Sequence, residues 1–419
     1  MLTRINLLQL RRLPALCAGL VVAFALALSL LPIASAGARS SESTPRVDLQ
    51  WYDITAKTIA NAKFQEAATE SSVWADSWLA AARAIGHHKD SSYATAAFAT
   101  ALHDTLVALV PSQQSELDTA LASTLAAVPE GHDKDRGIAS GQRNAAVVLA
   151  ERSGDGLDAA SIDIPFTTPN QAPGVWQPTP PSFGLAVRAG LGKARPFLLH
   201  SNDQFRPDPP PALDSDTYLD ALAEIRAFGS ATSSVRTPEQ TDIALFWEDQ
   251  SVHLFVPALR AVLVDEEGSL TQRARLVAAF HVISIDAQIA IYEAKYTYLF
   301  WRPITAIRNG TVDPDPSWTP FFTTPRHPEY PSGHGGYAGA VVEVLKALVG
   351  PQPKEPISYQ SATDPGSTRT YRAWSTFTQE NIDGRVWEGI HFRFSDEIGV
   401  QVGQRVAQYD LPRLECIGL

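Results

Sequence analysis

Lys295, Arg302, Ser332, Gly333, His334, Arg385 and His391 fall in three short fragments of the chain: Lys295-x6-Arg302-Pro303, Pro331-Ser332-Gly333-His334 and Arg385-x3-Gly389-x-His391. Together they offer three fixed cations, two imidazoles and a serine beside a glycine. That set suits a tetrahedral oxyanion that is both bound and acted upon. Cations offset its charge, hydroxyl and backbone donors hold its oxygens, and imidazoles move protons or engage its central atom. Taken singly, each fragment says little: a serine before a glycine is an ordinary helix N-cap, and a lone histidine is usually structural. The ordered set carries the reading.

These residues need elements to hold them. Ser332-Gly333-His334 is predicted to open a helix running from about 332 to 348, whose unpaired first-turn N–H groups favour an anion. Residues 270–301 are apolar almost all round, which predicts a helix at the centre of the core. Lys295 and Arg302 stand two helical turns apart and are expected to point the same way from it, with Pro303 as its stop. A buried lysine there requires a negative partner. Arg385 and His391 cannot share one helical face, so Gly389 is expected to end a helix of about 374–388 and turn His391 back. A loop of nearly thirty residues is expected after Pro303.

The other helical patterns lie at about 54–68, 74–110, 114–127, 138–152, 216–228, 238–248, 251–265 and 395–409. Eleven prolines between residues 165 and 211 mark a long crossing loop, in which Trp176, Phe183, Phe197 and Phe205 are expected to be buried. The fold class is all-α, with helices packed in bundles and long Pro-rich loops. His87, His88, His103, His132, His200, His253 and His281 are read as structural.

Composition sets the bounds. The chain has 419 residues, 45% of them hydrophobic, enough for a sizeable core. Arg4, Arg11 and Arg12 precede an apolar run from Ala15 to Leu31, and Ala34-Ser35-Ala36 follows. Residues 1–36 are thus expected to be a signal peptide, with a retained anchor as the alternative. The expected product is secreted or periplasmic. A linker over 37–50 and a single domain over 51–419 follow, the latter divided into an N-terminal half (51–230) and a C-terminal half (231–419) that carries the site. No later run is read as a membrane span. Loss of 1–36 removes three arginines and no acid, moving the formal charge from −11 to −14. Such a charge argues against nucleic acid and anionic membrane as partners. Cys416 would be the one remaining cysteine, so no internal disulfide is expected, and the absence of methionine beyond Met1 is compatible with a nearby oxidant or with codon bias.

The three fragments resemble the superfamily that joins vanadium-dependent haloperoxidases to type 2 phosphatidic-acid-phosphatase-like acid phosphatases. Pro173-Gly174-Val175-Trp176-Gln177-Pro178, Ile243-Ala244-Leu245-Phe246-Trp247, Asp286-Ala287 and Ile390-His391-Phe392-Arg393-Phe394 are similar to its haloperoxidase branch. The resemblance implies the helical-bundle fold of that superfamily and an orthovanadate cofactor. It makes His391 the ligand to vanadium, Lys295, Arg302, Ser332, Gly333 and Arg385 the donors to vanadate oxygens, and His334 the acid–base group. Lys295 would also polarise bound hydrogen peroxide, a halide would be oxidised to hypohalous acid, and a small organic acceptor would be halogenated. His327 is similar to the histidine of bromoperoxidases, which implies bromide or iodide over chloride; its alternative is a loop residue capping backbone groups. Gly384 departs from the motif, which has serine there. Two other readings stay open: an acid phosphatase with His391 as nucleophile, and a non-catalytic oxyanion binder. An oligomer is compatible with all of them.

Overall fold

The computed structural model describes residues 46–88 and 91–419. The N-terminal half runs through α1 (Val47–Ala62), α2 (Ala67–Ile85), α3 (Ser92–Leu109), α4 (Gln114–Ala126), α5 (His132–Arg152) and the single turn α6 (Ala159–Ile162). After the Pro-rich loop come α7 (Asp216–Phe228), α8 (Pro238–Phe246), α9 (Ser251–Asp265), α10 (Leu270–Tyr298), α11 (Pro303–Asn309) and α12 (Gly333–Leu348). A short antiparallel hairpin, β1 (Ile357–Tyr359) with β2 (Arg369–Tyr371), precedes α13 (Trp374–Trp387) and α14 (Arg393–Asp410). The all-α bundle architecture holds.

The expected signal peptide at 1–36 lies outside the described residues, as does the start of the 37–50 linker. Its last four positions are helical, because α1 already begins at Val47. The stretch 74–110 is two helices, α2 and α3, parted at Gly86, whose φ of +58° lies where L side chains are strained.

Helix α10 is the axis of the molecule. Ser269 and Gln272 form a reciprocal capping box at its start, each side chain bonding the other's backbone N–H. It packs against α2, α12 and α14. By length and apolarity α10 could cross a membrane, contrary to the reading of the sequence, but 89% of its most apolar window is buried inside the protein. Its apolar surface is therefore spent on the core. At mid-length, buried Asp286 accepts the backbone N–H groups of Phe197 and Leu198, both at 2.7 Å, and pins the Pro-rich loop to the core. Trp176 is buried as expected, and Phe197 and Phe205 pack against the core. Phe183 does not: it is 63% exposed.

Helices α12 and α14 approach closely enough for their backbones to touch. A Cβ on Gly339 would lie 2.2 Å from the Val400 carbonyl oxygen, and one on Gly403 would lie 2.0 Å from that of Gly336. Only glycine permits that crossing, which sets the N-terminus of α12 beside residues 391–396.

One buried acid in α2 gives a stability test. Asp76 has an unpartnered oxygen, and burial pushes its pKa up to about 8, against the pull of Arg152. Since this lies above its ordinary 3.8, its contribution to stability is complete below that value and is lost as pH rises through about 8. Asp76→Asn is expected to unfold about 2–6 °C above wild type at pH 8 and level with it near pH 4, measured by thermal melts.

Candidate active site

His391 sits where the turn after α13 brings it. Gly389, at φ +83°, reverses the chain, and a Cβ there would lie 2.3 Å from the Gly229 carbonyl oxygen. The imidazole is buried, and its Nδ1 lies 2.8 Å from Glu329 Oε1. The Phe392 N–H donates to the same oxygen at 3.0 Å, so Oε1 is an acceptor and Nδ1 carries the proton. Nε2 then holds the lone pair, and Arg302 Nη1 approaches it at 3.2 Å. Burial, with Arg302, Lys295 and Arg385 nearby, drives the His391 pKa well below its ordinary range. The ring is neutral and ready to ligate an electrophilic centre.

The three cations come from three different elements. Lys295 is fully buried and donates to the carbonyls of Pro328 (2.9 Å) and Glu329 (2.7 Å), leaving one of its three N–H bonds. Burial and then Arg302 push its pKa well below the usual lysine value, so a bound anion would restore its charge. Arg302 differs from expectation. Helix α10 stops at Tyr298, Leu299 takes a left-handed φ of +53°, and Arg302 is the N-cap residue of α11. Pro303 therefore starts a helix instead of ending one. Arg302 still reaches His391 and also bonds the carbonyls of His327 and Ile390, both at 2.9 Å. Arg385 donates to the Trp247 carbonyl at 3.1 Å and pairs with Glu388 at 2.8 Å, while its buried Nε has no protein partner.

Ser332 caps α12, its hydroxyl accepting from the Gly335 N–H at 3.3 Å. Gly333 and His334 follow in the first turn, where backbone N–H groups lack helical partners. His334 Nε2 donates to the Asp249 carbonyl at 2.9 Å, which leaves Nδ1 as the acceptor. Gly333, His334, Arg385, His391 and His327 line one cavity of about 250 Å3. His327 is buried in its wall, with Arg302 Nη2 3.0 Å from Nδ1 and the Tyr292 hydroxyl 3.3 Å from Nε2. The cavity is not confined to the C-terminal half: Ala67, Ser71 and Arg188 line it too.

Several residues here were missed in the sequence. Glu329, Glu388 and Asp249 orient His391, Arg385 and His334 respectively. Only Glu388 left a local signal, its i,i+3 spacing from Arg385. His253, read as structural, bridges Asp249 (2.9 Å) and Glu70 (2.7 Å) and so braces the segment that holds His334. The glycine at 384 now has a physical reason. A Cβ there would lie 3.0 Å from that of Trp247, a fully buried ring packed against Phe255 and Phe377. The absent serine makes room for Trp247, whose carbonyl is one of the two groups that hold Arg385.

An orthovanadate ion fits this donor set. The cavity presents a neutral imidazole nitrogen, an unpartnered buried guanidinium N–H and a helix N-terminus, with two further cations behind them.

Known proteins share part of this sequence and its fold. Residues 275–415 match a family model described as the VCPO second helical-bundle domain. The vanadium chloroperoxidase of Curvularia inaequalis is 30% identical over 190 residues, covering 37% of this chain. The chain spans 31% of that relative's length. Among solved structures, a bacterial vanadium-dependent iodoperoxidase superposes with a TM-score of 0.71 at 22% identity, covering 87% of this chain and 96% of that one. A bacterial vanadium-dependent chloroperoxidase in its holo form gives 0.65 at 17% identity, covering 88% and 93%. Residues 275–415 are thus a helical-bundle domain of the vanadium chloroperoxidase type, set in a chain that shares the fold of the vanadium-dependent haloperoxidases.

Proposed function

We propose that the protein is a vanadate-dependent haloperoxidase that oxidises bromide or iodide with hydrogen peroxide, and that it acts after export. The observation that carries this is His391: a neutral ring, its proton held on Nδ1 by Glu329, with its Nε2 lone pair beside Arg302 in a cation-rich cavity. Bound vanadate would supply Lewis acidity toward peroxide with no change of oxidation state. Lys295, Arg302 and Arg385 would offset the anion's charge, and the first-turn N–H groups of α12 would hold it. His334, fixed by the Asp249 carbonyl, accepts and returns a proton at Nδ1. The wall of His327 and Tyr292 borders the space into which a halide enters.

The same lone pair can attack phosphorus, so phosphatase activity is the competing reading. One assay separates them. Purified protein is given peroxide and halide, or a phosphate ester, with and without orthovanadate. Vanadate-dependent halide oxidation without ester hydrolysis is expected; ester hydrolysis alone would replace the proposal. From His327, bromide turnover is expected at roughly tenfold or more over chloride, since about 1.4 kcal/mol in the barrier suffices. Equal rates with the two halides would remove His327 from halide selection.

A further inference from the structure

We infer that a second cavity, separate from the active site, binds a small primary ammonium ion with an apolar body, and that the Asp76 carboxylate is its counter-ion. The cavity holds about 430 Å3, bordered by α2, the C-terminal ends of α3 and α5, and the 153–159 segment that follows α5. It shares no lining residue with the active-site cavity. Neighbouring positions of α2 divide between the two: Ala67, Ala68 and Ser71 line the active site, whereas Thr69, Ser72, Val73 and Asp76 line the second cavity.

The polar part of this wall is built of acceptors. Asp76 is only 5% exposed, and its Oδ1 has no hydrogen-bond partner in the protein. Leaving a buried carboxyl oxygen unmet is costly, and a donor inside the cavity relieves that cost. Thr69 and Ser72 spend their hydroxyl protons on the carbonyls of Leu157 (2.9 Å) and Thr69 (2.8 Å), so their oxygens are left as acceptors. The one cation among the lining residues is already committed. Arg152 donates to Asp155 Oδ2 at 3.0 Å and to the carbonyls of Pro196 (3.1 Å) and Arg195 (2.7 Å), and its guanidinium carbon lies 3.7 Å from the centre of the Phe197 ring. Arg152 and Asp155 answer one another, which leaves an ionised Asp76 without a counter-charge.

That pattern selects the chemistry of the ligand. An anion finds no uncommitted cation. A divalent metal ion takes about six oxygen ligands, whereas Phe64, Val73, Leu109 and Leu149 make much of this wall apolar. An ammonium group on an alkyl body suits both parts: its N–H bonds meet Asp76, Thr69 and Ser72, and its carbons meet the apolar side chains. Among the charged groups acting on Asp76, Arg152, Arg195 and Arg83 lower its pKa and Asp155 raises it, but burial outweighs them and pushes it up to about 8. Asp76 is therefore mostly protonated at pH 7, and a bound ammonium ion drives that proton off.

The test is calorimetric titration of n-hexylamine into the whole protein at pH 8.5, with n-hexanol and hexanoate as the neutral and anionic counterparts. The amine is expected to saturate one site, and the other two are expected not to bind. At pH 7, in two buffers of different ionisation enthalpy, binding is expected to release about one proton per amine, with affinity falling about tenfold for each pH unit below 8. Asp76→Asn is expected to weaken binding about 10- to 100-fold and to end the proton release. Leu149→Trp, which fills the cavity and keeps Asp76, is expected to abolish binding; thermal melts confirm that both variants fold. Hexanol binding as tightly as hexylamine would make the cavity merely apolar and overturn the proposal. So would amine binding that Asp76→Asn leaves unchanged, or no saturable amine binding to wild type.

Discussion

Replacing His391 with alanine should abolish tight vanadate binding, while His334→Ala should leave it and lose the chemistry. On the proposed reading, the two imidazoles have different tasks. His391 is buried, holds its proton toward Glu329 and turns a lone pair toward Arg302. His334 is only partly buried, is fixed by a backbone carbonyl and keeps Nδ1 free for proton transfer. On the proposed reading, loss of His391 removes the nitrogen that would ligate the central atom, so affinity should fall by more than the roughly 100-fold typical of losing an outer-shell partner. Loss of His334 leaves all three cations and the ligand nitrogen, so affinity should change little. Its kcat for bromide oxidation should fall by roughly 100- to 10,000-fold, the range for a general acid–base group. Equilibrium dialysis of vanadate and steady-state kinetics on both variants check this. Normal vanadate retention in His391→Ala would reverse the assignment.

The second large effect is expected at Glu329, which the reading of the sequence passed over. Glu329→Ala should weaken vanadate binding by about 10- to 100-fold without touching any first contact to the ion. The reason is tautomeric. Without the carboxylate, nothing holds the proton on Nδ1, and Nε2 can carry it instead. Glu329→Gln should recover much of the loss, because the Phe392 N–H, 3.0 Å from Oε1, selects the amide oxygen for that position. The residual deficit of the glutamine variant then reports the carboxylate's charge. Burial keeps that charge costly, pushing the Glu329 pKa up to about 7 even with Lys295 and Arg302 pulling it down. If alanine and glutamine variants bind vanadate as wild type does, Glu329 is a packing residue and the tautomer argument fails.

What could be read in advance was whatever lay in contiguous sequence. The capping of α12 by Ser332, the central place of α10 and the reversal at Gly389 each depend on neighbours within a few positions. The helix limits at 216–228 and 251–265 were legible for the same reason, as α7 and α9 show. Partners distant in sequence were not legible. Glu329 and His391 are 62 residues apart, and neither carries a local mark of the other. Arg302 was placed on the core helix because no residue there announces a break; Leu299 adopts its left-handed turn under tertiary constraint. Phe183 was expected inside on hydrophobicity alone, whereas its backbone, at a left-handed φ of +48°, holds it out. Gly384 read as a loss at the site, and only the packing of Trp247 against it shows what replaced the serine.

Isothermal titration of orthovanadate into vanadate-free protein tests the central claim most directly, because it asks whether Lys295, Arg302, His334, Arg385 and His391 serve one guest. One site per chain is expected, displaced competitively by phosphate and lost in His391→Ala. No saturable binding, or binding of equal strength in that variant, would contradict the account.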